Sequence, residues 1–94
     1  MYKLVITGQF KKDLKKVIKN PKNDQLTRAT LKMLQQDGVA GIPDKMLPHR
    51  LKGNFKDLWE CHIKPDLLII WFQFESPNVI RLVRIGSHSE LFGR

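Results

Sequence analysis

Three histidines and two carboxylates fall in the second half of the chain, at His49, Glu60, His62, Asp66 and His88. An imidazole exchanges a proton near neutral pH, so a set of this kind suits general acid–base chemistry. Carboxylates beside the rings can orient them or act as the base. Glu60, His62 and Lys64 alternate with Trp59, Cys61 and Ile63. With the two-residue period of a strand, the first trio shares one face and the second faces a core. Successive members of the trio then stand about 6–7 Å apart, since each strand residue rises roughly 3.3 Å. Asp66 follows at a Pro65-Asp66 turn. Arg81 and Arg84 lie on a later strand, where a planar guanidinium can hold a phosphate through two hydrogen bonds. The inventory fits phosphodiester cleavage. One proton leaves the nucleophile, another reaches the leaving oxygen, and fixed positive charge meets the developing anion.

Plainer readings stand beside this one. A strand histidine taken singly is a solvated or hydrogen-bonded structural residue; only the joint placement of three argues for chemistry. Three histidines and two acids can ligate zinc, but no pair has helical i, i+4 spacing and no HExxH occurs, so no metal site is expected. Cys61 falls on the core face, which argues against a thiol nucleophile. No glycine-rich phosphate loop is present. Trp59 and Trp71 read as core residues. Phe92 either packs the tail against the sheet or stacks on an unpaired base, a contact worth roughly 1–3 kcal/mol.

Charge narrows the class of partner. Seventeen Lys and Arg against nine Asp and Glu give +8 on 94 residues. A small domain so basic attracts polyanions: a nucleic acid, or an acidic protein. Lys11, Lys12, Lys15, Lys16 and Lys19 line one side of the first expected helix, as a solvated face or as a landing surface for nucleic acid. The single cysteine excludes a disulfide framework. Leu67–Phe72, the longest apolar run, is far shorter than the roughly 20 residues that span a bilayer. The apolar stretch near Met1 is too short for a signal peptide. One domain over residues 1–94, in a reducing cytoplasm and away from membranes, is expected.

The elements that must position these residues follow from periodicity. Lys3–Thr7 reads as a strand ended by Gly8. Phe10, Leu14, Val17 and Ile18 form one face of a helix over Gln9–Asn20, closed by Pro21. A second helix, capped by Asn23 or Asp24, runs to about Gln36, with Leu26, Ala29 or Thr30, Met33 and Leu34 inward and Asp37-Gly38 as the stop. Val39–Pro48 is a loop. Strands at His49–Lys52, Leu58–Lys64, Leu67–Phe74 and Val79–Ile85, joined by tight turns, form an antiparallel meander. Leu67–Phe72 is apolar on both faces and belongs in the middle of the sheet. The expected fold is α+β, in the order β-α-α-β-β-β-β. Two N-terminal helices cover one face of a mainly antiparallel sheet, and the other face, carrying Glu60, His62 and Lys64, is open to solvent.

The segments His49-Arg50-Leu51-Lys52-Gly53, Trp59-Glu60-Cys61-His62-Ile63-Lys64-Pro65-Asp66 and Arg84-Ile85-Gly86-Ser87-His88-Ser89-Glu90-Leu91-Phe92-Gly93 closely resemble the YafQ branch of the RelE superfamily. The likeness covers about half the chain at motif level, and Phe10-Lys11-Lys12-Asp13-Leu14 extends it weakly. It implies a toxin of a type II toxin–antitoxin system: a metal-independent endoribonuclease, without cofactor, that cuts mRNA in the ribosomal A site. It also implies contacts to 16S rRNA, an acidic antitoxin that blocks the toxin, and operator DNA reached only through that antitoxin. The family's active-site pattern falls on His49, His62, Asp66, His88 and Phe92. Glu60 stands where relatives often carry Asp; its extra methylene favours orienting His62 over direct catalysis. Arg84 matches a basic strand residue of the family, and Arg81, Lys52 and Lys64 complete the implied substrate-binding set. In the implied reaction a ribose 2′-OH attacks the adjacent phosphate, with Asp66 or His49 as base, His88 as acid, Arg84 and His62 steadying the phosphorane, and Phe92 holding a base. The acid and base labels are interchangeable at this stage. The alternative is a basic domain that grips RNA or the ribosome without cutting.

Overall fold

A computed structural model describes residues 1–93. Five strands form one sheet in the order β1-β5-β4-β3-β2. They are β1 (Lys3–Ile6), β2 (His49–Arg50), β3 (Trp59–Lys64), β4 (Leu67–Phe74) and β5 (Val79–Gly86). β2 to β5 make the expected antiparallel meander, while β1 joins the far edge parallel to β5. Helices α1 (Gly8–Val17) and α2 (Pro21–Asp37) pack across β5 and β3 on one face. A short third helix, α3 (His88–Phe92), follows β5 and was not expected.

The ends of the helices show where periodicity misleads. Thr7 is no strand residue: its hydroxyl oxygen accepts from the Phe10 N–H as the cap of α1, and its O–H donates to the Leu82 carbonyl. Asn20 caps α2 and Pro21 is its first residue, where a missing N–H and a fixed φ cost nothing. The proline therefore opens the second helix instead of merely closing the first. The buried residues of α2 are Thr27, Thr30 and Leu34: Thr30 and Leu34 fall inward as expected, Met33 packs at the margin of the core, and Thr27 takes the place expected for Leu26. Ile18, outside α1, is exposed. α2 ends at Gly38 with φ 62°, and a Cβ there would lie 2.8 Å from the Gln73 amide nitrogen. The expected loop contains 3-10 turns at Gly38–Gly41 and Asp44–Met46, and the strand from His49 shortens to two residues.

Alternation divides the molecule into two apolar layers. Phe10, Leu34, Cys61, Ile69, Trp71, Ile80 and Leu82 form the main core beneath the helices. Leu68 and Ile70 point the other way and are equally buried, under Leu91, with Leu51, Leu58, Val83 and Phe92 around them. The second face is therefore not open to solvent, as expected, but partly roofed by α3 and the chain around residues 51–58. Each such side chain removed from water contributes roughly 1.5–3 kcal/mol. Among the described residues no helix is long and apolar enough to cross a membrane.

One ion pair fastens α1 to the end of β5. The Arg84 Nε and Nη2 donate to both oxygens of Asp13, at 2.7 and 3.2 Å, and the Ile85 N–H donates to the same carboxylate at 3.1 Å. Burial by itself pushes the Asp13 carboxyl up; hydrogen bonds from Arg84, Gln9 and the Ile85 N–H outweigh it and hold the group below its usual range. A depressed carboxyl stabilises the fold above its unfolded pKa of about 3.9, and that contribution is lost as pH falls through the folded value. Asp13→Ala should lower unfolding free energy by about 2–3 kcal/mol at neutral pH, since Arg84 is left partly buried and unpaired. Urea unfolding at neutral pH and below the folded value measures it, and the variant's deficit should shrink in acid.

Candidate active site

The register of β2 on β3 sets His49 opposite Glu60, and β3 carries His62 two residues further on. Glu60 is 4% exposed, a buried carboxylate where sequence alternation placed it in solvent. Its Oε1 lies 3.2 Å from His49 Nε2 and 3.7 Å from His62 Nε2. Its Oε2 is buried without a hydrogen-bond partner among the described residues. A buried carboxylate is costly unless paired, so the two imidazoles are what make this position tolerable. His49 Nδ1 donates to the Leu47 carbonyl at 2.7 Å, which requires a proton on that nitrogen. That leaves Nε2 as the ring atom facing Glu60. Leu47, which offers the carbonyl, has the left-handed backbone φ 54°, ψ 52°, a strained state for a branched residue.

At the other end of the row, Asp66 Oδ1 accepts from both the backbone N–H and the ring Nδ1 of His88, each at 2.9 Å. That backbone contact, and then the ring contact, keep the Asp66 carboxyl below its usual range. With Nδ1 occupied, His88 presents Nε2 for chemistry, the arrangement by which a carboxylate orients a catalytic imidazole. Ser87 fixes α3 through a capping box: its Oγ accepts from the Glu90 N–H and the Glu90 carboxylate accepts from the Ser87 N–H. The Ser87-His88-Ser89-Glu90 pattern could have announced this helix from sequence.

The rings form a continuous line. His49 and His62 have centroids 6.4 Å apart, His62 and His88 5.8 Å, and His88 and Phe92 6.4 Å. Phe55, which sequence reasoning did not single out, meets Phe92 edge to face at 5.4 Å. His49, Glu60, His62, Asp66, His88 and Phe92 are therefore gathered at one place. Four other expected residues are not. A bulge between His62 and Lys64 turns Lys64 out of the row, and its Nζ donates to Asn23 Oδ1 on α2 at 2.9 Å. The Arg84 guanidinium is occupied by Asp13, a partner that an isolated strand pattern does not reveal. Arg81 lies over the Phe74 ring at 5.5 Å. Lys52 is exposed beside the 3-10 turn that carries Phe55. Cys61 is buried beneath the helices and its thiol is pushed up to about 12 by burial and the neighbouring Glu60, as its core position requires. Among the described residues no group of three His, Cys, Asp or Glu is arranged to hold a metal ion.

A two-helix layer on a mostly antiparallel sheet, with clustered histidines on the other face, is the arrangement that the resemblance to the YafQ branch implies. Comparison with known proteins agrees. Residues 2–93 match the family profile described as "Bacterial toxin of type II toxin-antitoxin system, YafQ". A protein named mRNA interferase toxin YafQ, from Escherichia coli strain K12, is 28% identical over 87 residues, covering 93% of this chain and 91% of that one. The crystal structure of the E. coli DinJ-YafQ complex contains a chain with TM-score 0.83 and 26% identity, covering 99% of this chain and 100% of that one. A metal-bound toxin from Helicobacter pylori superposes with TM-score 0.82 at 38% identity, covering 98% of this chain and 100% of that one. The chain belongs to the YafQ family of bacterial toxins of type II toxin–antitoxin systems.

The Asp66–His88 contact makes a spectroscopic prediction. The neutral His88 ring should carry its proton on Nδ1, and Asp66→Ala should move it to Nε2 while Asp66→Asn, which retains an acceptor oxygen, should hold it largely in place. Nitrogen NMR of the imidazoles reads the tautomer directly. An unchanged His88 tautomer in Asp66→Ala would remove Asp66 from its orienting role.

Proposed function

We propose that the chain is an endoribonuclease that cuts mRNA on the ribosome, in the A site, by attack of a ribose 2′-OH on the adjacent phosphate. The observation that carries this reading is the line of three imidazoles with a carboxylate behind each end. The closeness of His62 and His88 lets one phosphate contact both rings. The proton leaving the 2′-OH passes to His62, and the buried Glu60 carboxylate, braced by His49, stabilises the imidazolium formed. The P–O5′ bond breaks, and His88 delivers a proton from Nε2 to the leaving 5′ oxygen. The products are a 2′,3′-cyclic phosphate and a free 5′-OH. In this scheme Asp66 acts by orienting His88, and Glu60 by holding His49 and His62. The charge on the phosphorane is met by His62 and by the basic field of the chain, because Arg84 is engaged with Asp13. Phe92 and Phe55 offer a platform on which an unstacked base can rest.

Positioning on the ribosome falls to the other side of the molecule. Lys11, Lys12, Lys15, Lys16 and Lys19 are all exposed on or just beyond α1, on the layer opposite the histidines. Such a face suits ribosomal RNA, 16S rRNA in the A site, while the histidine face takes the messenger. The relative crystallised with the DinJ antitoxin supports an acidic antitoxin as the cellular partner of this +8 chain. Operator DNA is reached through that partner. The setting is cytoplasmic, where ribosomes are.

Primer extension on ribosome-bound mRNA from cells expressing the chain tests the reading. Mapped cuts should carry 5′-OH ends within codons. His88→Ala should lower cleavage by roughly 10²–10⁴-fold with an unchanged melting profile. A wild-type chain that inhibits translation yet leaves no new 5′-OH ends would be a binder that grips without cutting.

A further inference from the structure

β2 pairs with only Trp59 and Glu60 of β3, so the outer edge of β3 from Cys61 to Lys64 has no neighbouring strand among the described residues. The Asp44–Met46 turn approaches that edge without closing on it. Between them lies a cavity of about 410 Å³ lined by Lys45, Met46, Leu47, His62, Ile63, Lys64 and Pro65. A second hollow, of about 290 Å³, continues from it beneath α2 and shares Lys45, Met46 and Ile63. The cavity is joined to the candidate active site through His62, which belongs to both, and through Leu47, whose carbonyl holds His49. We propose that it is the subsite for one nucleotide of single-stranded RNA, the one flanking the scissile phosphate on the side away from Phe92. This proposal rests on the ribonuclease reading and extends it to the substrate grip.

Three features of the cavity select that occupant. Its floor and walls are apolar: Met46, Leu47, Ile63 and Pro65 offer a base face contact without side-chain hydrogen bonds. Its rim is cationic. Lys64 gives one donor to Asn23 and keeps two of its three for a phosphate, and Lys45 stands exposed opposite. Its size is at the small end of the roughly 300–1,000 Å³ range for ligand pockets, which suits a single nucleotide. The central position of His62 completes the argument. Phe92, over His88, lies on one side of it and the cavity on the other, so a chain cut between His62 and His88 must lay one nucleotide towards each. With Met46, Leu47, Ile63 and Pro65 making most of the lining, selection in the cavity runs chiefly by size and stacking.

Short 2′-O-methyl homopolymers of A, C, G and U, which lack the attacking hydroxyl, test the subsite by methyl NMR on the full chain. The Met46 and Ile63 methyl signals should shift on titration. Met46→Phe, which fills the cavity, should weaken binding by about tenfold, the scale of one lost base contact. It should also redistribute mapped cuts towards codons with a smaller base at one fixed position. The double change Lys45→Ala with Lys64→Ala should weaken all homopolymers alike and flatten the salt dependence. RNA that binds without moving these methyls, or a folded Met46→Phe variant that cuts where the wild type cuts, overturns the subsite and leaves the ribonuclease reading intact. Methyls silent to RNA but responsive to an antitoxin would make the cavity a protein-docking groove, which also overturns it. Methyl shifts with RNA from a wild type that makes no 5′-OH ends would uphold the nucleotide site and sink cleavage instead.

Discussion

Leu68, Ile69, Ile70 and Trp71 are all buried, so β4 needs cover on both faces. The helices α1 and α2 supply it on one side, where Ile69 and Trp71 point. On the other side only two short pieces of chain are at hand: the segment around residues 51–58 and α3. They close over Leu68 and Ile70 with Leu51, Leu58, Leu91 and Phe92. That apolar demand has a chemical consequence. Leu91 cannot be buried there without bringing His88, three residues earlier on the same helix, to the end of β3. The hydrophobic layer and the histidine line are built by the same folding event.

The site's polar members are then fixed locally. Each terminal imidazole is held by a backbone or carboxylate partner on its Nδ1: the Leu47 carbonyl for His49, the Asp66 carboxylate for His88. Each therefore directs Nε2 inward or outward in a defined way, His49 towards Glu60 and His88 towards open space. Glu60 occupies the middle of β3 with one oxygen between two rings and the other without a partner. A glutamate so buried would be a liability in a protein whose only need was stability, because a hydrophobic side chain of similar size would fill the space at lower cost. Its presence is best understood through the imidazoles it serves.

Positive charge is distributed with a comparable division of labour. Arg84 looks like a phosphate ligand on a strand but spends its planar fork on Asp13, tying α1 to β5. The lysines of α1 are free, and they sit on the layer remote from the histidines. A +8 chain thus attracts polyanions from several directions, while its three histidines are gathered on one face.

Much of this is legible in the sequence. Period-two alternation along β3 assigned Cys61 to the core and put Glu60 and His62 together, because strand geometry is local and does not depend on the neighbours. The apolar run of β4 announced a central strand, and the histidine, carboxylate and phenylalanine types named the chemistry. The order β-α-α-β-β-β-β followed from periodicities and breakers, though Pro21 read as a stop where it serves as a first helical residue. What periodicity could not give was anything decided by contact between distant segments. The burial of Glu60 depends on β2 pairing beside it and bringing His49 to it, and the capture of Arg84 on a helix residue 71 positions away. The exit of Lys64 depends on a bulge, and the cavity beside His62 on a turn that fails to pair. Side-chain partners separated in sequence are chosen by packing, and packing exists only once the chain has folded.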